Sequence, residues 1–122
     1  MSEKVKVLCV DDDNLNLTIF EIGLKADFET LLADGPEKAL ELLAINSDVK
    51  VVISDFRMGT VDGMEFISKA KKQYPHANYY LFSGFEITKE IQLALDDGLI
   101  KRYLTKPLDI LEIVKIIKED LN

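Results

Sequence analysis

Five short apolar runs, each followed by a stretch with helical period, constrain this 122-residue chain more than any other feature. "KVKVLCV" (4–10), "FETLLA" (28–33), "VKVVIS" (49–54), "NYYLFS" (78–83) and "KRYLT" (101–105) read as strands. The segments between them read as helices. "NLNLTIFEIGLKA" (14–26) carries Leu15, Ile19 and Ile22 on one face, and "EKALELLAI" follows the turn Asp34-Gly35-Pro36. "MEFISKAKKQY" aligns Phe66, Ile67, Ala70 and Tyr74, and "ITKEIQLALDD" groups Ile87, Ile91, Ala94 and Leu95 before a stop at Gly98. "LDILEIVKIIKEDL" closes the chain. A strict alternation of strands and helices with short loops implies a parallel sheet covered by helices on both faces. The expectation is therefore one α/β domain over residues 1–122. The most apolar strands, 5–10, 49–54 and 78–83, belong at its centre. Glu29, Lys101 and Arg102 mark the other two as edges, where charge discourages further pairing.

Composition narrows the function by exclusion. A net charge of −7 argues against nucleic-acid binding, which relies on a basic surface. No apolar run approaches the ~20 residues of a membrane span. The opening "MSEKVKV" shows no signal-peptide pattern, and the single cysteine, Cys9, sits in an apolar run as a small core residue. A cytoplasmic, reducing setting is expected.

In an open parallel sheet the ligand crevice lies beyond the carboxyl ends of the strands. Here those ends carry Asp11, Asp12 and Asp13, then Ser54-Asp55, Ser83-Gly84 and Thr105-Lys106-Pro107. An aspartate after a strand is ordinarily a turn former or helix cap, and Asp13 or Asn14 is expected to cap the first helix. The set as a whole says more, because each member has the polarity the others need. Adjacent carboxylates repel unless a cation sits among them, and oxygen-only donors suit a hard divalent ion such as Mg²⁺ (or Mn²⁺). A lysine and a hydroxyl then match an anion brought to that metal. These are the parts phosphoryl transfer needs, and a carboxylate is a competent nucleophile for it.

These residues resemble the receiver domain of two-component response regulators. The marks are Asp11-Asp12 after the first strand, "ISDFRMGTVDG" after the third, "LFSG" after the fourth and "YLTKP" after the fifth. The resemblance implies a flavodoxin-like, doubly wound sheet of strand order 2-1-3-4-5. It implies that Asp55 accepts a phosphoryl group from a histidine kinase or phosphotransfer protein. Asp12 and Asp55 would hold the metal through side chains, Asp11 through water, and Arg57 through its backbone carbonyl. Ser83 and Lys106 would bind phosphoryl oxygens, Tyr103 would act as the aromatic switch, and the Lys106–Pro107 bond would be cis. Partner contact, including a homodimer, would use the 86–97 helix, the 101–105 strand and the 109–121 helix, with Ile113 or Ile116 contributing.

Two positions depart from the family pattern. Gly59 replaces a usual proline, which suggests a more mobile 56–62 loop, and Gly84 follows the switch hydroxyl. Arg57 and Phe85 stand where the family controls water access to the phosphoryl group. One rival is a haloacid-dehalogenase-like phosphatase with Asp11 as nucleophile, Asp13 as acid, Lys106 as its lysine and Asp96-Asp97 as its last acids. It reverses the order of lysine and final acids and leaves Asp55 unused. The other alternative is a receiver-like interaction module that works without phosphorylation.

Overall fold

The computed structural model describes residues 4–59, 61–84, 86–107 and 109–121. The chain runs β1 (Lys6–Val10), α1 (Asn14–Leu24), β2 (Glu29–Ala33), α2 (Pro36–Ile45) and β3 (Val51–Asp55). Two short strands follow, β4 (Arg57–Met58) and β5 (Val61–Asp62), then α3 (Gly63–Gln73), β6 (Asn78–Ser83), α4 (Lys89–Asp96), β7 (Arg102–Thr105) and α5 (Ile110–Leu121). One parallel sheet has the order β2-β1-β3-β6-β7, which is 2-1-3-4-5 when its own five strands are counted. The apolar strands are central and the charged ones are edges, as their composition requires.

Each face of the sheet has its own core. Leu8, Val10, Val52, Tyr79 and Leu81 point to α2, α3 and α4; Val7, Cys9, Ile53, Tyr80 and Phe82 point to α1 and α5. Alternation along each strand sends successive side chains to opposite faces, so both cores are filled by the same strands. Among the described residues no helix is long and apolar enough to cross a membrane.

The phase of α1 differs from the sequence reading. Leu17, Phe20 and Leu24 are buried, whereas Leu15, Ile19 and Ile22 are 67%, 38% and 63% exposed. The helix carries two apolar stripes at helical spacing, and periodicity alone cannot choose between them. Phe20 decides the matter: its ring meets Phe82 edge-to-face at 5.3 Å, a contact no aliphatic residue of the other stripe can supply. Two smaller corrections follow the same logic. Thr88 accepts the Ile91 amide and caps α4, so Ile87 lies ahead of the helix and half exposed. Ile113 is 3% exposed and stacked with Ile117 over the sheet, so most of its side chain serves the core, with only an edge lining the groove between β7 and α5.

The described residues of the 56–62 segment include two short paired strands. Arg57 pairs with Asp62 and Met58 with Val61 in a small antiparallel ladder. Gly59 turns the chain at φ 62°, a value that proline, locked near −65°, cannot adopt. The left-handed turn favours glycine.

Candidate functional site

Backbone bonds that continue just past the strand ends fix the site residues in space. Asp11 N donates to Ala33 O at 3.1 Å, Phe56 N to Phe82 O at 3.0 Å, and Lys106 N to Ser83 O at 3.0 Å. These tie the chain after β1, β3 and β7 to its neighbours, so Asp11, Asp55 and Lys106 hang from a rigid scaffold. In the register, Asp55 lies beside Phe82 and Ser83 beside Thr105. Ser83 is 2% exposed. Gly63 seats α3 directly beneath: its amide donates to Phe56 O at 2.6 Å, and a Cβ there would overlap the Asp55 carbonyl oxygen.

Asp11, Asp12 and Asp55 each offer a carboxylate oxygen, and these atoms lie within 4.8 Å of one another. Asp11 has no exposed surface, Asp55 is 6% exposed, and Asp12 faces solvent. The Lys106 ammonium stands 3.3 Å from Asp55 Oδ1 and 5.2 Å from the centre of the Phe82 ring. Burial pushes the Asp11 carboxyl up to about 6. Hydrogen bonds from the Asp13 amide and the Asn16 side chain oppose that rise, the Asp55 charge adds to it, and the Lys106 charge opposes it. Three carboxylates thus face one ammonium. The hard-oxygen donor set and the remaining negative charge suit Mg²⁺ or Mn²⁺.

The other predicted residues occupy distinct places. Arg57 opens β4 two residues beyond Asp55, with its guanidinium 5.7 Å from the centre of the Phe56 ring. Tyr103 is half-buried on β7, two residues before the Thr105 that pairs with Ser83, and packs against the α4-side core. The Lys106–Pro107 peptide is cis. Phe85 lies outside the described residues. Outside the predicted set, the single histidine, His76, is exposed, its ring Nε2 2.8 Å from the Ser47 carbonyl oxygen.

Asp13 does not join the cluster. Its Oδ1 accepts the Leu15 amide at 2.9 Å, making it the cap of α1. Asp96 and Asp97 end α4, ahead of the strand that enters the sheet where Lys101 N bonds Tyr79 O. That is the end of the sheet remote from Asp11. The acids a dehalogenase-like phosphatase would need are therefore turned away or distant.

Asn16 was missed by reasoning from strand ends. It projects from α1 and donates through Nδ2 to Asp11 Oδ2 at 2.8 Å. Its signal was local: an asparagine, a poor helix former, one turn before Phe20 on a helix lined with Leu and Ile.

The response regulator receiver domain family matches residues 7–118. The chain is 30% identical over 122 residues to a chemotaxis protein CheY homolog of Campylobacter jejuni, covering 97% of this chain and 90% of that protein. It is 28% identical over 119 residues to the hydrogenase transcriptional regulatory protein HoxA of Bradyrhizobium diazoefficiens, covering 98% of this chain. The match spans only about a quarter of that regulator's length. Among solved structures, the signal receiver domain of an HD domain-containing protein from Pseudomonas fluorescens superposes with a TM-score of 0.88 at 29% identity, covering 98% of this chain and 95% of that one. With the sheet order and strand-end acids in accord, the chain belongs to the response regulator receiver domain family.

Proposed function

We propose that this receiver works as a phosphoacceptor in which Asp55 takes a phosphoryl group from the phosphohistidine of a histidine kinase or phosphotransfer protein. The observation that carries this reading is the Asp55–Lys106 contact at 3.3 Å, inside a carboxylate cluster spanning 4.8 Å. Asp11, Asp12, Asp55 and the Arg57 carbonyl would hold Mg²⁺ (or Mn²⁺), which when bound neutralises phosphoryl oxygens. Asp55 attacks phosphorus through a carboxylate oxygen; the new O–P bond forms as the P–N bond to imidazole breaks, and the imidazole keeps that electron pair. Lys106 screens the charge passing from the carboxylate to the phosphoryl oxygens, and the Ser83 hydroxyl donates to one of them. The protein assists its own modification and acts on no separate substrate.

Output follows from the same groups. Closure of Ser83 on the phosphoryl group would vacate space beside β6, and Tyr103 would turn inward to fill it. Tyr103, Pro107, Glu112 and Ile116 line one shallow groove between β7 and α5, so this motion would remodel a surface for a partner or a second copy. Sedimentation that gives the same monomer with and without phosphorylation would remove the homodimer version.

The test is intact mass after incubation with acetyl phosphate, with and without Mg²⁺. A metal-dependent gain of one phosphoryl group, absent in Asp55→Asn, is expected. No adduct on the wild type under any condition would favour a module acting by contact alone. An adduct retained in Asp55→Asn but lost in Asp11→Asn would reinstate Asp11 as the nucleophile.

A further inference from the structure

Asp11 is gripped at both oxygens. The Asp13 amide donates to Oδ1 at 2.9 Å and the Asn16 side chain to Oδ2 at 2.8 Å, while its own amide is tied to Ala33. With no exposed surface, Asp11 has no bulk water to replace a lost donor. Each carboxylate oxygen still keeps a second lone-pair direction for a metal or a metal-bound water. Asn16 is half-buried in α1, four residues before Phe20 and on the same side of the helix, where an apolar residue would extend the packing. Helix propensity gives no reason for an amide at this position.

We propose that Asn16 is a positioning residue for the divalent-cation site: it fixes the Asp11 carboxylate in the orientation that faces Asp12 and Asp55, and thereby sets metal affinity. This rests on the metal-binding reading above. Partners that orient a metal ligand through a hydrogen bond are commonly worth 10–100-fold in affinity. Asn16 sits at the lower end of that range, because the Asp13 amide remains when the side chain is changed.

The experiment is calorimetric titration with Mg²⁺ alone and Mn²⁺ alone on the wild type, Asn16→Leu, Asn16→Ala and Thr18→Ala. Leucine keeps the volume and removes the donor; alanine removes both and guards against misfit of the larger side chain. Thr18→Ala deletes a hydroxyl bonded to the Asn14 carbonyl in the same helix and serves as the control. Both Asn16 variants are expected to bind about tenfold more weakly, with Thr18→Ala unchanged. In acetyl phosphate reactions the Mg²⁺ concentration giving half the maximal rate should rise by the same factor while the plateau rate is kept. Wild-type affinity in both Asn16 variants, or tighter binding, overturns the assignment and leaves the phosphoacceptor reading standing. Absence of metal binding in the wild type overturns both.

Discussion

Lys106 stands 3.3 Å from Asp55 Oδ1, a direct cationic contact of the carboxylate proposed to accept the phosphoryl group, and its ammonium rests on the face of Phe82. The ring belongs to β6, whose Phe82 pairs with Asp55 in β3. Strand register therefore sets where the ammonium sits relative to the acid. Replacing Lys106 with methionine keeps most of the unbranched stem but removes the charge and the ammonium that lies over the ring. Loss of one such group from a site of developing negative charge costs on the order of 10²-fold. Asp55 phosphorylation in Lys106→Met should slow by about that factor at saturating Mg²⁺, read as adduct formation by mass. A rate within twofold of wild type would deny Lys106 a part in the transfer.

The Asp11 carboxyl gives the metal-free protein a distinctive pH dependence. Its folded value of about 6 lies above the ordinary 3.8, since burial disfavours the anion. A raised carboxyl contributes stability that is complete below about 4 and is lost as pH rises through about 6. Asp120 works the other way. Bidentate bonds from Arg102, at 2.8 and 2.9 Å, hold its carboxyl below the usual range, so its contribution changes only below about pH 4. Between pH 4.5 and 7 the melting temperature of metal-free wild type should fall relative to that of Asp11→Asn. Added Mg²⁺ should stabilise the wild type more at pH 7 than at pH 5, since binding needs the ionised acid. Parallel melting curves for the two proteins across this range would refute the assignment.

Gly63 couples the start of α3 to the backbone of Asp55. Any side chain there meets the Asp55 carbonyl oxygen and the Leu81 side chain at 3.0 Å. Backbone cannot yield cheaply, and overpacking of this kind costs about 1–3 kcal/mol. Gly63→Ala should lower the urea midpoint accordingly and slow Asp55 phosphorylation, because the displaced group carries the reacting carboxylate. Full stability together with a normal rate would show that α3 shifts freely.

Much of this was legible in the sequence because two patterns are nearly independent of tertiary detail. Alternating strand and helix periods imply the parallel sheet, and the crevice rule then directs attention to Asp11, Asp12, Asp55, Ser83 and Lys106. What escaped depends on the rotation of a helix about its axis. Asn16 reaches Asp11 only because α1 turns the 16–20 side toward the sheet, and of two stripes of similar apolar strength the sequence reading takes the exposed one, Leu15, Ile19 and Ile22. The β4–β5 ladder escaped for a related reason: it is two residues long, and the glycine that reads as looseness is well suited to its left-handed turn.

The rotation of α1 can itself be tested by substitution. Phe20 has no exposed surface and meets Phe82, so Phe20→Ala removes a buried aromatic and leaves a void beside the strand that supports Lys106. The expected cost is about 3–5 kcal/mol. Leu15 and Ile22 lie mostly in water, and Leu15→Ser or Ile22→Ser should change stability by less than about 0.5 kcal/mol. If the helix were rotated to bury the other stripe, the ranking would invert: both serine variants would be severely destabilised and Phe20→Ala would be mild. Urea unfolding of the three variants separates the two arrangements, because the expected difference exceeds the error of the extrapolation several-fold.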